Sequence, residues 1–362
     1  MYWLPAILIL PYFFLLLIIY RNLLKIIPFK CSPTPSIYVS VIIACRNEQE
    51  KIPLLLESIS GQDYPEELFE VIIVDDNSTD KTFETASENS RADRYFVMKN
   101  KGRGKKEAIR TGIIASKGRL IITTDADCTM GKNWIKTIAA FFEKYRPEMI
   151  ICPVQLEVHH GFFGRFQELE YMSLQGITAG SVMAGKGIMC NGANLSFTRD
   201  TYLNQMDKLH FGLATGDDVF MLHSLKKAIN SGIMWLESTD SVVSTASSAS
   251  LSSFLSQRKR WISKWKDYND TFTIQTGIVT LIAAILQLTA TVSLFFNISF
   301  IWPFLVILLL KSVPDFLILQ NTTTRYGKSH LMRWFIPAQL IYPVYVMAVV
   351  TYSLLAAPVK AD

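Results

Sequence analysis

Asp125 and Asp127 stand one residue apart in the stretch ITTDADC, directly after an apolar, β-branched run. Two carboxylates so close repel one another unless a cation compensates them, so the spacing points to a divalent metal and, through it, to a phosphate-bearing ligand. A polar turn at a strand end is the plainer use of the same residues, and the rest of the chain has to decide. Two further polar clusters end apolar runs of the same kind: Cys45-Arg46-Asn47-Glu48 after YVSVIIA, and Asp75-Asp76-Asn77-Ser78 after FEVIIV. A basic run, Lys99, Lys101, Arg103, Lys105 and Lys106, is interleaved with Gly102 and Gly104 ahead of a helical pattern. Helix N-termini approached through glycine attract phosphate, and cations add to the attraction. The run matches neither GxGxxG nor a P-loop. Beside paired carboxylates it is complementary, because a held metal and a cationic rim both neutralise a diphosphate.

These residues need strands to carry them. Tyr38–Ala44, Phe69–Val74, Tyr95–Met98 and Leu120–Thr124 have strand length and β-branched content, whereas Gln49–Ser60, Asp80–Ser90 and Arg103–Ser116 have helical spacing. Alternating strands and helices predict an α/β domain with a largely parallel sheet covered on both faces. Ligands of such sheets bind beyond the carboxyl ends of the strands. The three polar clusters fall at three such ends, so one shared site is expected.

The chain has 362 residues, half of them hydrophobic, and they are unevenly spread. Trp3–Tyr20, Thr273–Phe296, Ile298–Leu310 and Phe335–Ala357 are apolar segments of membrane type. The first lacks a basic leader and is followed by Arg21, Lys25 and Lys30, which predicts a retained anchor with the next segment in the cytoplasm. Arg325, Lys328 and Arg333 mark the loop before the last span as cytoplasmic too. Lys311, Pro314 and Asp315 interrupt the third span. Lys311 and Asp315 are four apart, so they could pair on one helical face, or the stretch could lie in the interface with its charges snorkelling. The expected organisation is an anchor over 1–30, a cytoplasmic catalytic domain over 31–245, an amphipathic interfacial helix over 246–271 and a C-terminal membrane region over 272–362. This places a multi-pass protein in the cytoplasmic membrane. A net charge of +5 is too mild for a nucleic-acid binder and suits a bilayer or phosphate ligand. The five cysteines form no CxxC pair, which argues for reduced thiols and against zinc.

Taken in order between Val39 and Trp261, the stretches VSVIIACRNE, VIIVDDNSTDKT, GRLIITTDADC, TGDDVF and QRKRW resemble those of membrane-bound, inverting family-2 glycosyltransferases with the GT-A fold. QxxRW also resembles cellulose and hyaluronan synthases and ceramide glucosyltransferases. The resemblance implies a nucleotide-sugar donor, a UDP-sugar foremost, contacted by Ala44, Arg46, Glu48, Asp75, Asp76, Lys105 and Asp125. It implies a divalent cation, Mg or Mn, on the DxD, with Asp127 placed ahead of Asp125 as the direct ligand. Asp218 would be the general base for the acceptor hydroxyl, with Asp217 beside it opposing its ionisation. Gln257, Arg260 and Trp261 would serve the diphosphate and the acceptor at the membrane edge, and Asn191 of the NGAN stretch would lie near the acceptor. The acceptor implied is a membrane lipid. Blander uses remain: Asp217-Asp218 as a helix cap, and Trp261 and Trp265 as membrane anchors with Arg258, Lys259, Arg260 and Lys264 facing lipid phosphates. At the level of function the alternatives are a processive polysaccharide synthase, a nucleotide-binding membrane protein without turnover, and a nucleotidyltransferase, which leaves GDD and QxxRW unexplained. Nothing in the sequence names the sugar, the acceptor or the oligomeric state.

Overall fold

The computed structural model describes residues 7–31, 35–90, 93–158, 161–209, 216–228 and 232–355. They form two compact units: one comprises residues 27–157 and 189–246, the other 7–26, 158–188 and 247–355.

The first of these units is built on ten strands: β1 (Val39–Cys45), β2 (Phe69–Asp75), β3 (Tyr95–Lys99), β4 (Leu120–Asp125), β5 (Cys128–Met130), β6 (Met149–Ile151), β7 (Val154–Glu157), β8 (Leu195–Thr198), β9 (Ile233–Trp235) and β10 (Val243–Ala246). Seven make one sheet in the order β3-β2-β1-β4-β8-β6-β9, and β5-β10-β7 make a second. In the large sheet only β8 runs against its neighbours. The fold is therefore α/β with a mostly parallel sheet, as the alternation of strand and helix patterns predicts. β1 and β2 are buried almost throughout, because crossover helices cover both faces of a parallel sheet. The helix Ile52–Ser60 turns Ile52, Leu55, Leu56 and Ile59 inward at the spacing that marked it as amphipathic.

Two strands run one residue further than their apolar runs. Asp75 pairs across to Cys45 and Lys99, and Asp125 pairs across to Ala44, so the first carboxylate of each acidic cluster is part of the sheet. The ladder continues because parallel pairing needs only the backbone, and each Asp backbone finds a partner at full register.

The second unit is helical: Leu10–Leu23, Phe162–Met183, Leu251–Ile262, Thr271–Phe296, Ile301–Arg325 and Phe335–Leu355. Three stretches, Thr271–Phe296, Ile298–Arg325 and Ser329–Leu354, are long and apolar enough to cross a membrane. The helix Leu10–Leu23 is shorter, and the start of the predicted Trp3–Tyr20 segment lies outside the described residues. Arg325 donates to the Leu23 and Ile26 carbonyls at 3.2 and 3.1 Å, adding a side-chain partner to acceptors at and just beyond that helix's C-terminal end. Helix Phe162–Met183 approaches it so closely that a Cβ on Gly180 would lie 2.5 Å from the Ile19 carbonyl oxygen. This helix falls within the 31–245 stretch that the sequence assigns to the catalytic domain, and its neighbours here are the apolar helices.

Ile301–Arg325 is continuous through Pro314. Lys311 Nζ lies 2.9 Å from Asp315 Oδ2 and donates to Gln339 Oε1 at 2.7 Å. Gln339 Nε2 and the Tyr12 hydroxyl donate to Asp315 at 2.8 and 2.7 Å. The two charges that interrupt the hydropathy thus face each other inside the helical unit, the first of the two expected arrangements.

Candidate active site

Strand register brings the acidic clusters together. Cys45 stands beside Asp75 and Ala44 beside Asp125, so the polar stretches that follow β1, β2 and β4 leave the sheet side by side. Asn47 and Asn77, each two residues past the Cys45–Asp75 pair, both take left-handed backbone angles, with φ of 56° and 57°. Asparagine tolerates this region because its short amide can bond locally. Asn47 N–H donates to Ser78 Oγ at 3.0 Å, and Asn47 Oδ1 accepts from Thr79 N–H at 2.8 Å. Glu48 N–H donates to Thr82 Oγ1 at 2.8 Å, and the Glu48 carboxylate pairs with Lys51 at 3.0 Å. These contacts brace the first loop on the second. Arg46 and its neighbour Asn47 are exposed on this rim.

Asp76 is buried and does the corresponding work for the basic loop. Its Oδ1 accepts from Asn100 Nδ2 at 2.7 Å and from Gly104 N–H at 2.9 Å. Gly104 has φ +89°, a value other residues rarely adopt, and it opens the helix Lys105–Ala115. Asp75 is also buried. Its Oδ2 accepts from Ser78 N–H at 3.2 Å, while its Oδ1 is buried with no hydrogen-bond partner among the described residues. A buried acceptor without a donor is costly, and a site that expects a ligand is where such a cost is met.

The DxD divides. Asp125 forms an ion pair with Lys105, both partly exposed. Asp127 is half-buried, and Thr245 Oγ1 donates to its Oδ2 at 3.3 Å. Pairing of β5 with β10 sets Thr245 opposite Cys128 and so beside Asp127. Among the described residues no three His, Cys, Asp or Glu side chains cluster as a complete metal cage. What the DxD offers is oxygen alone. Burial, reinforced by Asp125 and Asp127, drives the Cys128 thiol far above its ordinary range, and burial with Asp75 pushes Cys45 up to about 12. Both therefore stay protonated thiols rather than thiolate ligands. A hard cation that takes few protein oxygens and completes its shell from phosphate and water, as Mg does, fits this set.

Asp218 reaches the same strand end by way of β8. Because β8 is antiparallel, its first residue, Leu195, pairs with Thr123 near the carboxyl end of β4, which brings the preceding NGAN turn there as well. Thr123 Oγ1 donates to the Gly192 carbonyl at 2.9 Å, and Gly192 N–H donates to Asp218 Oδ2 at 3.1 Å. Val219 N–H donates to Asp218 Oδ1 at 2.8 Å. Asp218 sits in the first turn of the helix Asp217–Ala228, inside the cap position, which falls on Gly216 rather than on the Asp217-Asp218 pair. The Asp217 side chain lies outside the described residues. Asn191 is spent on the turn itself, its Oδ1 accepting from Ala193 N–H at 2.9 Å. Buried Asn194 locks it, donating to the Pro153 and Ser241 carbonyls at 2.7 Å each and accepting from Trp134 Nε1 at 3.0 Å. Thr123 and Asn194 lie inside the quoted stretches without an assigned role, and Thr245 lies in none of them. For Thr123 the signal was available: it lies two residues before Asp125, on the same strand face.

Gln257, Arg260 and Trp261 belong to the helical unit, on the helix Leu251–Ile262, which a Ser250–Ser253 capping box starts. Arg260 is exposed and Trp261 half-buried. Arg258, expected on the phosphate-facing side, is turned inward and 4% exposed, because a buried carboxylate, Glu170, draws it there.

Residues 40–205 match the family described as Glycosyl transferase family 2. Over 101 residues the chain is 35% identical to Glycosyltransferase AglE of Haloferax volcanii, covering 27% of this chain and 33% of that protein. Over 111 residues it is 29% identical to Beta-monoglucosyldiacylglycerol synthase of a Nostoc species, covering 30% of this chain and 24% of that protein. The matched stretches span a third or less of these relatives. Among solved structures, the Mannosyltransferase PcManGT of Pyrobaculum calidifontis, in complex with GDP-Man and Mn2+, superposes with a TM-score of 0.58 at 18% identity, covering 98% of this chain and 99% of that one. The fold is thus α/β and GT-A-like, and residues 40–205 are similar to the family 2 glycosyl transferases.

Proposed function

We propose that the protein is an inverting glycosyltransferase that moves one sugar from a nucleotide-sugar to a membrane lipid at the cytoplasmic face. The observation that carries this reading is the hydrogen-bonded path from Thr123 through Gly192 to Asp218, beside the strand end that bears Asp125 and Asp127. The relative named as a glucosyldiacylglycerol synthase and the three apolar helices support the lipid side.

In this reading Asp75 and Asp76 take the base and ribose, and the bare Asp75 Oδ1 accepts from one of them. Ala44, Arg46 and Glu48 line the same pocket. Lys105, at the N-terminus of a helix behind Gly104, meets the diphosphate, where cation and backbone N–H groups both oppose its charge. Asp127, with Asp125 second, would hold a Mg or Mn ion. Bound there, the ion neutralises charge on the leaving diphosphate. Asp218 takes the proton of the acceptor hydroxyl as that oxygen attacks the anomeric carbon opposite the leaving group, which inverts the configuration. Gln257, Arg260 and Trp261 act on the diphosphate and acceptor side, and Asn191 holds the turn that steadies Asp218.

The test is transfer by purified full-length protein, given UDP-glucose, UDP-N-acetylglucosamine or GDP-mannose singly, with vesicles of total membrane lipid. A labelled glycolipid made by wild type and lost in Asp218→Asn is expected. A polymer made without lipid would point to a polysaccharide synthase instead. Nucleotide-sugar binding without transfer to lipid or to polymer would overturn the catalytic reading.

A further inference from the structure

The helix Phe162–Met183 carries a carboxylate that the proposed chemistry leaves unused. Glu170 is 9% exposed. Its Oε1 accepts from Arg258 Nε at 3.0 Å and from the Tyr345 hydroxyl at 2.9 Å, and its Oε2 accepts from Arg258 Nη2 at 2.5 Å. Arg258 lies inside QRKRW. Its guanidinium carbon stands 4.1 Å from the centre of the Trp261 ring and 4.4 Å from that of Phe254. Its Nη1 donates to Gln257 Oε1. Tyr171, next to Glu170, meets Trp261 with ring centres 6.5 Å apart. One buried guanidinium therefore touches two of the three motif residues, and one buried carboxylate fixes that guanidinium.

An ion pair is a poor way to gain stability in such a place. Desolvation of both charges consumes much of the attraction, and an apolar pair of similar volume does as well or better. What the pair does supply is direction. A bidentate fork fixes the guanidinium plane, and that plane can then stack on an indole and donate along its own edge. Lysine can do neither.

We propose that Glu170 and Arg258 are positioning residues, which set the orientation of Trp261 and Gln257 toward the acceptor. Tyr345, by bonding the same carboxylate, ties that orientation to the helix Phe335–Leu355. The inference rests on the acceptor-side role given to Gln257 and Trp261 above.

The experiment uses full-length protein in nanodiscs and the variants Arg258→Lys, Glu170→Gln and the double variant. In the transfer assay described above, each single variant is expected to raise the apparent KM for lipid about tenfold. The KM for the nucleotide-sugar is expected to stay within about twofold, and the double variant to match the worse single one. Equal losses toward both substrates, as a general structural defect produces, would overturn the proposal. A second reading needs no turnover. Tryptophan emission is expected to shift in Arg258→Lys and in Glu170→Gln, and to stay unshifted when the same changes are made in a Trp261→Phe background. A shift that persists without Trp261, or its absence with Trp261 present, would overturn the proposal. Wild type that transfers no sugar counts against the proposed function alone, and the emission comparison then decides the pair.

Discussion

The Gly192 N–H donates to Asp218 Oδ2 at 3.1 Å, and the opposite face of the same peptide segment is held by Thr123. The residue proposed as base is thus tied through one glycine to the strand that carries the DxD. Asparagine in place of Asp218 keeps an oxygen for the Gly192 N–H, gives up the bond from the Val219 N–H, and cannot take a proton. Asp218→Asn is therefore expected to fold normally and to lose about 10²–10⁴-fold in kcat. Nucleotide-sugar affinity, measured by titration calorimetry, should change by less than about twofold.

Lys105 and Asp125 are 41% and 33% exposed at their side chains, so their ion pair should add little to stability. Lys105→Met is expected to move the unfolding free energy by no more than about 1 kcal/mol. Its cost should appear in donor binding, where losing a cation beside a diphosphate is expected to raise the Kd about tenfold, or about 1.4 kcal/mol. The wild-type Kd should also rise with salt more steeply than that of the variant.

Asp127→Asn removes the carboxylate proposed to hold the cation, and Asp125→Asn removes one already engaged by Lys105. The first is expected to weaken Mn binding, followed by the paramagnetic resonance of the free ion in the presence of nucleoside diphosphate, by about 10–100-fold or more. The second should weaken it less. Chelation should abolish transfer, and added Mg or Mn should restore it.

Cys45 offers a pH dependence with a definite sign. Burial, with Asp75 next in weight, raises its thiol from 9.0 to about 12 in the folded protein. The folded state therefore favours the protonated thiol. Its contribution is complete below pH 9 and is lost as pH rises from 9 toward 12. Thermal melts of Cys45→Ala across that window should fall less steeply than those of wild type. Wild type should resist alkylation near neutral pH.

Lys311 is 1% exposed, and its charge is met by Asp315 and Gln339. Lys311→Met leaves Asp315 buried with neutral donors only, and is expected to destabilise the helical unit by about 3–5 kcal/mol. A Lys311→Met/Asp315→Leu double variant should recover most of that loss, because it removes both charges from the apolar surroundings. Melting in detergent micelles checks both.

Much of this was legible before any coordinates. Local pattern is enough to mark an element, since the period of apolar residues reports which face is buried, and β1, β2 and β4 and the helices between them lie within a few residues of their predicted bounds. The Lys311–Asp315 pair was also readable, because residues four apart on a helix share a face. Arg258 was misread for the same local reason. Arg258, Lys259 and Arg260 on one helix, with Lys264 just beyond it, look like a face turned to lipid phosphates, and nothing nearby in sequence announces a carboxylate 88 positions away.

The chain by itself determined the elements, the acidic strand ends and the order of the motifs, because each follows from residues within a turn or two of one another. Which carboxylate stays buried, which is paired and which reaches the others was decided only by tertiary structure. The antiparallel course of β8 carries the NGAN turn back to the end of β4, and only that reversal puts Gly192 between Thr123 and Asp218. Strand direction within a sheet depends on pairing between distant segments, and no local periodicity encodes it.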